Sequence, residues 1–451
     1  MSLTRTLRVV SGAVLAGALV LTAAPVAAAD QVRDDQWPLK AFDAEAIWKI
    51  SKGKGVTVAV IDQGVDSDHV DLKGNVTQGR DFIDDDDSSL PEDGDAHGTA
   101  MASIIAGHGH GPGSGDGVMG LAPEVKILSI RDTGDNLKGF GPSIRYAVDH
   151  GASVINISQA ISSSSTDEEE AVAYALKKDV LVVSGTGNNG KGHEAWNYPV
   201  SNSGVLPVGA VDNSGEIWAK SNFGQGILLT APGTHIVSAG GGSASFPYRS
   251  ANGTSDATAY TSAAVALLRA KFPDLTVGQL VNRLTKTAGL PAAAKGTALP
   301  DDHYGYGFIQ PLAALKQEIP AGSKYGPLSV PESLKEGAPG ATAPKDDSTA
   351  SDDAASSSSS GNGLVLAVVG LAGLIVVVLV ILLIVKIARR GKRNNGGPGG
   401  PGGPGGPGAP SGWDGNGQPQ YGQPPHQPQY QQGGNPYQQP QRQSPGQWSN
   451  Q

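Results

Sequence analysis

Val56-Thr-Val-Ala-Val-Ile61 runs straight into Asp62-Gln63-Gly64. Six residues with five apolar ones, four of those β-branched, and no polar alternation read as a short strand buried on both faces, and therefore as a parallel one. Runs of the same type return at residues 125–130 (Val-Lys-Ile-Leu-Ser-Ile), 154–157 (Val-Ile-Asn-Ile) and 180–183 (Val-Leu-Val-Val). Helical stretches separate them. Residues 142–150 and 276–288 are two, and a third opens at Thr166-Asp-Glu-Glu169, which has the spacing of a capping box, and ends at Lys177-Lys178. Strand, helix, strand in succession predicts right-handed crossovers and an open α/β fold, a parallel sheet with helices on both faces. In such a sheet the chemistry gathers beyond the carboxyl ends of the strands.

Outside this alternating region, composition divides the rest of the 451 residues. Arg5 and Arg8, an apolar run over residues 9–21 and Ala27-Ala-Ala29 form the pattern of a signal peptide over residues 1–29. Residues 30–320 form the folded body. Residues 321–363, rich in Ser, Ala, Pro and Asp, read as a flexible stalk averaging about 35 Å end to end. Residues 364–385 are uncharged and long enough as a helix (about 33 Å) to cross a hydrocarbon core. Lys386, Arg389, Arg390, Lys392 and Arg393 follow, which sets the tail inside and the body outside. The Gly/Pro/Gln-rich tail, 386–451, lacks the apolar content to fold. The expected protein is therefore exported and anchored in the cell membrane by one pass.

The formal charge of -9 divides into +2 on residues 1–29, +5 on residues 386–451 and -16 on the stretch between them. An acidic body speaks against nucleic acid as a partner. The absence of cysteine excludes a thiol nucleophile, thiolate metal sites and disulfides.

Three residue types stand at element ends. Asp62 closes the first strand; His97, in Asp95-Ala-His97-Gly-Thr, opens a helix of small residues; Asn252-Gly-Thr-Ser255 opens another, rich in alanine, that runs to about residue 271. A hydroxyl nucleophile, an imidazole to take its proton and a carboxylate to orient the imidazole are what peptide-bond hydrolysis needs. A serine at a helix N-terminus also has free N–H groups nearby for an oxyanion, and Asn188, in Ser184-Gly-Thr-Gly-Asn188 after the 180–183 strand, adds a side-chain donor. Each piece alone also occurs as an ordinary turn or N-cap. It is the order Asp, His, Asn, Ser, each at an element boundary, that carries the reading.

Over residues 30–320 these segments resemble the subtilisin-type serine proteases: Val60-Ile-Asp62, His97-Gly-Thr99, Gly187-Asn188 and Gly253-Thr-Ser255 stand in that family's chain order. The whole layout, with Leu267-Leu-Arg-Ala-Lys-Phe-Pro273 and Tyr304-Gly-Tyr-Gly-Phe-Ile-Gln-Pro311, resembles more narrowly the mycosins, membrane-anchored proteases of type VII secretion systems. The resemblance implies a three-layer subtilisin-like fold and a triad of Asp62, His97 and Ser255. It further implies Asn188 as oxyanion donor, and Ser158, Gln159 and Ala160 as the segment that pairs with substrate backbone as an added strand. The partners implied are protein substrates, the membrane and components of a type VII secretion complex; no cofactor or metal is called for. Residues 30–54 are expected to wrap the body.

The chain departs from the family pattern at three points. Gln63 stands where Thr or Ser usually follows the aspartate, Asp256 follows the nucleophile in place of Met, and Ala259 replaces a proline. A carboxylate at position 256 suits a helix N-terminus but opposes oxyanion charge. Asp256, the missing proline and the Gly/Pro/Gln-rich tail motivate a rival reading, a structural component of a secretion complex in which proteolysis is weak or dispensable. His108-Gly-His110 reads as a solvated loop, and the acidic run Asp84–Asp87 as an exposed loop or a calcium site.

Overall fold

A computed structural model describes residues 31–243 and 246–335. The leader 1–29, the 364–385 span, the tail and most of the expected stalk lie outside the described residues. Among those described, no helix is long and apolar enough to cross a membrane.

The alternating region forms a seven-stranded parallel sheet. Its strands are β1 (Thr57–Asp62), β2 (Val76–Asp81), β5 (Lys126–Arg131), β6 (Val154–Ile157), β7 (Leu181–Gly185), β8 (Val205–Val211) and β9 (Leu229–Pro232), in the spatial order β2-β5-β1-β6-β7-β8-β9. The four runs read as strands are β1, β5, β6 and β7. The other three escape that reading for local reasons. β2 is a polar edge strand, Val-Thr-Gln-Gly-Arg-Asp, and β8 is interrupted by Pro207 and Gly209. β9 is only four residues long.

Side chains alternate between two cores. Val58 and Val60 of β1 join the cluster on one face, while Ala59 and Ile61 join the cluster on the other, and β5, β6 and β7 divide in the same way. The first face is covered by α3 (His97–Ala106) and α6 (Thr254–Lys271), the second by α4 (Gly141–Asp149) and α5 (Thr166–Lys177). Ala257, Ala259, Ala263, Ala264 and Ala266 are fully buried, so α6 lies against the sheet with no large side chains to hold it off. The capping box expected at Thr166–Glu169 is displaced by one residue. Ser165 is the N-cap, accepting from the Glu168 N–H at 3.1 Å, and the Glu168 carboxylate turns inward to accept from Phe140 N–H and Asn202. A true capping box, Thr276 with Gln279, opens α7 (Val277–Thr287).

Two short helices near the N-terminus, α1 (Trp37–Phe42) and α2 (Ala44–Trp48), lie along the body. Gln36 exchanges two 2.9 Å hydrogen bonds with the Met119 backbone, and the indoles of Trp37 and Trp48 donate to the carbonyls of Thr234 and Leu121. At the other end the packed chain continues past residue 320, where the stalk was expected to begin. Leu328 is buried in the main core, the Thr276 hydroxyl donates to the Lys324 carbonyl, and Tyr325 packs where a Cβ at Gly278 would be. His108–His110 is likewise not a free loop. It is strand β3, paired with β4 (Asp116–Met119), and His110 donates to the buried Asp71 carboxylate at 2.6 Å. The acidic run is an exposed loop, and arginines pair with part of it. Arg131, buried at the end of β5, pairs with Asp81, Asp84 and Glu92, while Arg80 pairs with Asp85 and Asp87. Among the described residues no group of three acidic or histidine side chains is arranged to hold a metal ion.

Candidate active site

The strand order places one crevice above all others. From β1 the chain leaves toward β2 on one side, and from β6 it leaves toward β7 on the other, so the carboxyl ends of β1 and β6 bound a topological switch point. Asp62 ends β1, and Ser158, Gln159 and Ala160 leave β6. Both helices of the first face start here, α3 with His97 and α6 with Thr254 and Ser255.

Two glycines allow the approach. A Cβ at Gly98 would lie 2.2 Å from the Gly64 carbonyl oxygen and 3.1 Å from Asp62 Cβ, and Gly64 itself has φ +97° with the Leu90 backbone pressed against it. The first turn of α3 therefore meets the end of β1 backbone to backbone. That contact brings His97 Nδ1 to 2.9 and 3.0 Å from the two oxygens of Asp62, whose carboxyl is fully buried.

Burial pushes the Asp62 carboxyl up, but the facing imidazole and hydrogen bonds from His97, the Gln63 N–H and Gln159 outweigh it and hold it below its ordinary value. Asp62 Oδ1 receives the Gln63 N–H at 2.9 Å and Gln159 Nε2 at 3.1 Å. An ionised carboxylate only accepts, so Nδ1 of His97 carries the proton and Nε2 is left as the basic nitrogen. The charge of Asp62 raises the His97 pKa; burial and Arg249 lower it and Asp256 raises it further, with a net upward shift.

Ser255 sits in the first turn of α6, part-exposed. Its hydroxyl donates to the Ser158 carbonyl at 3.1 Å, and the Ser158 hydroxyl donates back to the Ser255 carbonyl at 3.1 Å. In this conformer the partner of the Ser255 hydroxyl is thus the end of β6, not His97. Asn188 is exposed, and its Oδ1 accepts from both the N–H and the hydroxyl of Thr254, each at 2.9 Å. The amide is therefore held oxygen inward, and its NH2 end is unbonded among the described residues. Asp256 is buried, and its Oδ1 has no hydrogen-bond partner among the described residues. Burial, opposed by Arg249 and His97, pushes it up to about 6.

Asp62, His97, Ser255, Asn188 and the Ser158–Ala160 segment thus come together at one end of the sheet. Three further contributors were not read from the sequence: Thr254 as the clamp on Asn188, the side chain of Gln159 on Asp62, and Arg249, on β11 (Phe246–Ala251), which pairs with β10 (Ile236–Ser243), as a charge facing His97. Thr254 adjoins Ser255 in sequence; the other two are near the site only in space.

Known proteins resemble this chain in sequence and in fold. The subtilase family, peptidase S8, matches residues 53–307. Mycosin-1 of Mycolicibacterium smegmatis is 31% identical over 362 residues, covering 66% of this chain and 76% of that protein. Thermitase of Thermoactinomyces vulgaris is 34% identical over 240 residues, covering 52% of this chain and 81% of thermitase. Among solved structures, MycP1, described as a serine protease and an essential component of the type VII (ESX-1) secretion system, superposes with a TM-score of 0.53 at 30% identity, covering 62% of this chain and 88% of that one. The chain belongs to the subtilase family of subtilisin-like serine proteases and, within it, is a homologue of the mycosins.

Proposed function

We propose that the protein is an exported, membrane-anchored serine endopeptidase that cleaves secreted proteins with Asp62, His97 and Ser255 as its triad and works beside a type VII secretion complex. The observation that carries the reading is the His97–Asp62 pair, at 2.9 and 3.0 Å, at the same sheet end as a serine in the first turn of α6. For the reaction the Ser255 hydroxyl leaves its Ser158 partner and donates to His97 Nε2. Nε2 takes the proton as Oγ attacks the scissile carbonyl carbon, and Asp62 stabilises the imidazolium that forms. The Asn188 NH2 group and the Ser255 N–H hold the oxyanion. His97 then returns the proton to the leaving amine, and water repeats the sequence on the acyl-enzyme. The Ser158–Ala160 segment receives substrate backbone as an added strand. Anchoring rests on the uncharged 364–385 run with its basic flank, and export on the leader pattern of residues 1–29.

The test is fluorophosphonate labelling of the purified full-length chain, expected for the wild type and absent for Ser255→Ala. Labelling that persists in the variant, or that neither protein shows, overturns the triad. The scaffold reading is favoured by the buried carboxylate of Asp256 beside the nucleophile. Comparing secretion in a Ser255→Ala strain with secretion in a deletion strain separates the two: export kept in the first and lost in the second supports scaffolding, and loss in both supports catalysis.

A further inference from the structure

The buried Asp62 carboxylate needs donors, and one comes from an unexpected place. Gln159 belongs to the segment expected to receive substrate backbone, yet its side chain crosses from the end of β6 to the end of β1 and donates to Asp62 Oδ1 at 3.1 Å. That oxygen also takes the Gln63 N–H at 2.9 Å and one of the two His97 contacts, leaving Oδ2 with His97 alone. We propose that Gln159 is a positioning residue for the hydrolysis: its side-chain amide fixes the orientation and shares the charge of Asp62, and ties that carboxylate to the substrate-binding segment.

This inference rests on the triad reading above. Physically, a fully buried carboxylate with too few donors turns to find them, and any turn of Asp62 carries the His97 ring with it. The amide suits the task because it donates without titrating, so its hold is the same at every working pH. Because residues 158–160 and Asp62 share this one link, a substrate strand that seats on the segment presses on the same hydrogen bond that aligns the imidazole. Ser158 adds to the coupling because its carbonyl accepts the Ser255 hydroxyl, so one tripeptide touches both ends of the triad.

The experiment compares wild type, Gln159→Met and Ser255→Ala as full-length chains, measuring the second-order rate of fluorophosphonate labelling from pH 5 to pH 9. Methionine keeps the length and loses the donor. The labelling rate is expected to fall about ten- to a hundredfold, the range for a hydrogen bond to a charged group. The midpoint of the acidic limb is expected to move up by roughly half a pH unit, because an Asp62 with one donor fewer holds the His97 proton more tightly. The other charges facing His97, Arg249 from β11 and Asp256 from α6, are the same in both proteins.

A variant that merely folds less well lowers the amplitude and leaves the midpoint in place. A rate loss without a midpoint shift therefore overturns the proposal, and so does an unchanged rate, or an effect confined to KM for a peptide substrate. Persistence of labelling in Ser255→Ala overturns the triad itself, an outcome distinguishable from failure at Gln159.

Discussion

Asp256→Asn should stabilise the protein at alkaline pH and do almost nothing in acid. Asp256 is buried beside Ser255, its Oδ1 has no hydrogen-bond partner among the described residues, and burial pushes its carboxyl up to about 6. An unfolded aspartate titrates near 3.9, so the difference is about 2 units, or about 3 kcal/mol. The sign follows from proton uptake. Between about pH 4 and pH 6 the folded chain holds this proton more firmly than the unfolded chain, so stability falls as pH rises through that window. Above it the full cost of a buried, underpartnered anion is in force; below it the acid is neutral in both states. The amide has nearly the same shape and never ionises. At pH 8 the variant is therefore expected to be more stable by about 3 kcal/mol, a rise in melting temperature of roughly 5–10 °C for a domain of this size. At pH 4 the two proteins should melt together. Thermal unfolding of both full-length chains in detergent at the two pH values measures this directly. An equal gain at both values, or none at either, refutes the account of Asp256 as an ionised group under strain. The same variant removes an anion that raises His97, so its acidic limb of labelling should move to lower pH.

Other consequences are testable alongside. Asn188→Ala should lower kcat by about 10²–10³ with KM little changed, since the donor acts on the oxyanion and not on the ground state; steady-state kinetics on a cleaved peptide reads this, and a loss confined to KM counts against it. Gly98→Ala places a Cβ 2.2 Å from the Gly64 oxygen and should push His97 off Asp62, with about a hundredfold loss of Ser255 labelling in a chain that still melts cooperatively. Arg131→Met leaves the buried Asp81 carboxylate without its cation and should cost about 3–5 kcal/mol in urea unfolding, against less than 1 kcal/mol if the cluster behaves as a surface network.

Much of this protein was legible along the chain because local physics repeats itself there. Strands that are buried on both faces are short, mostly apolar runs rich in β-branched residues, so β1, β5, β6 and β7 announce themselves, and an alanine-rich stretch after Gly253-Thr-Ser255 reads as a helix that packs closely. The residue types at the ends of those elements are confined to a few chemistries, and their order was enough to assemble Asp62, His97, Asn188 and Ser255 on one rim. Composition also set the expected leader and the uncharged run apart from the body, because charge and apolar length are read residue by residue.

What tertiary structure decided is whatever depends on pairs distant in sequence. Gln159 and Asp62 are 97 residues apart, and no local pattern says that an amide on one strand end reaches a carboxylate on the next. Arg131 draws Asp84, the first residue of the acidic run, into an ion-pair cluster with the buried Asp81 and with Glu92, from 39 to 50 positions away. Residues 321–335 carry Tyr325, Leu328, Val330 and Leu334 among Ser, Gly and Pro, and it is the fold that buries Leu328 in the main core while the Tyr325 backbone closes on Gly278. Which partner the Ser255 hydroxyl takes is likewise set by the carbonyl that β6 delivers beside it. A sequence limits what each residue can do; only the fold brings together groups that cost free energy when buried alone.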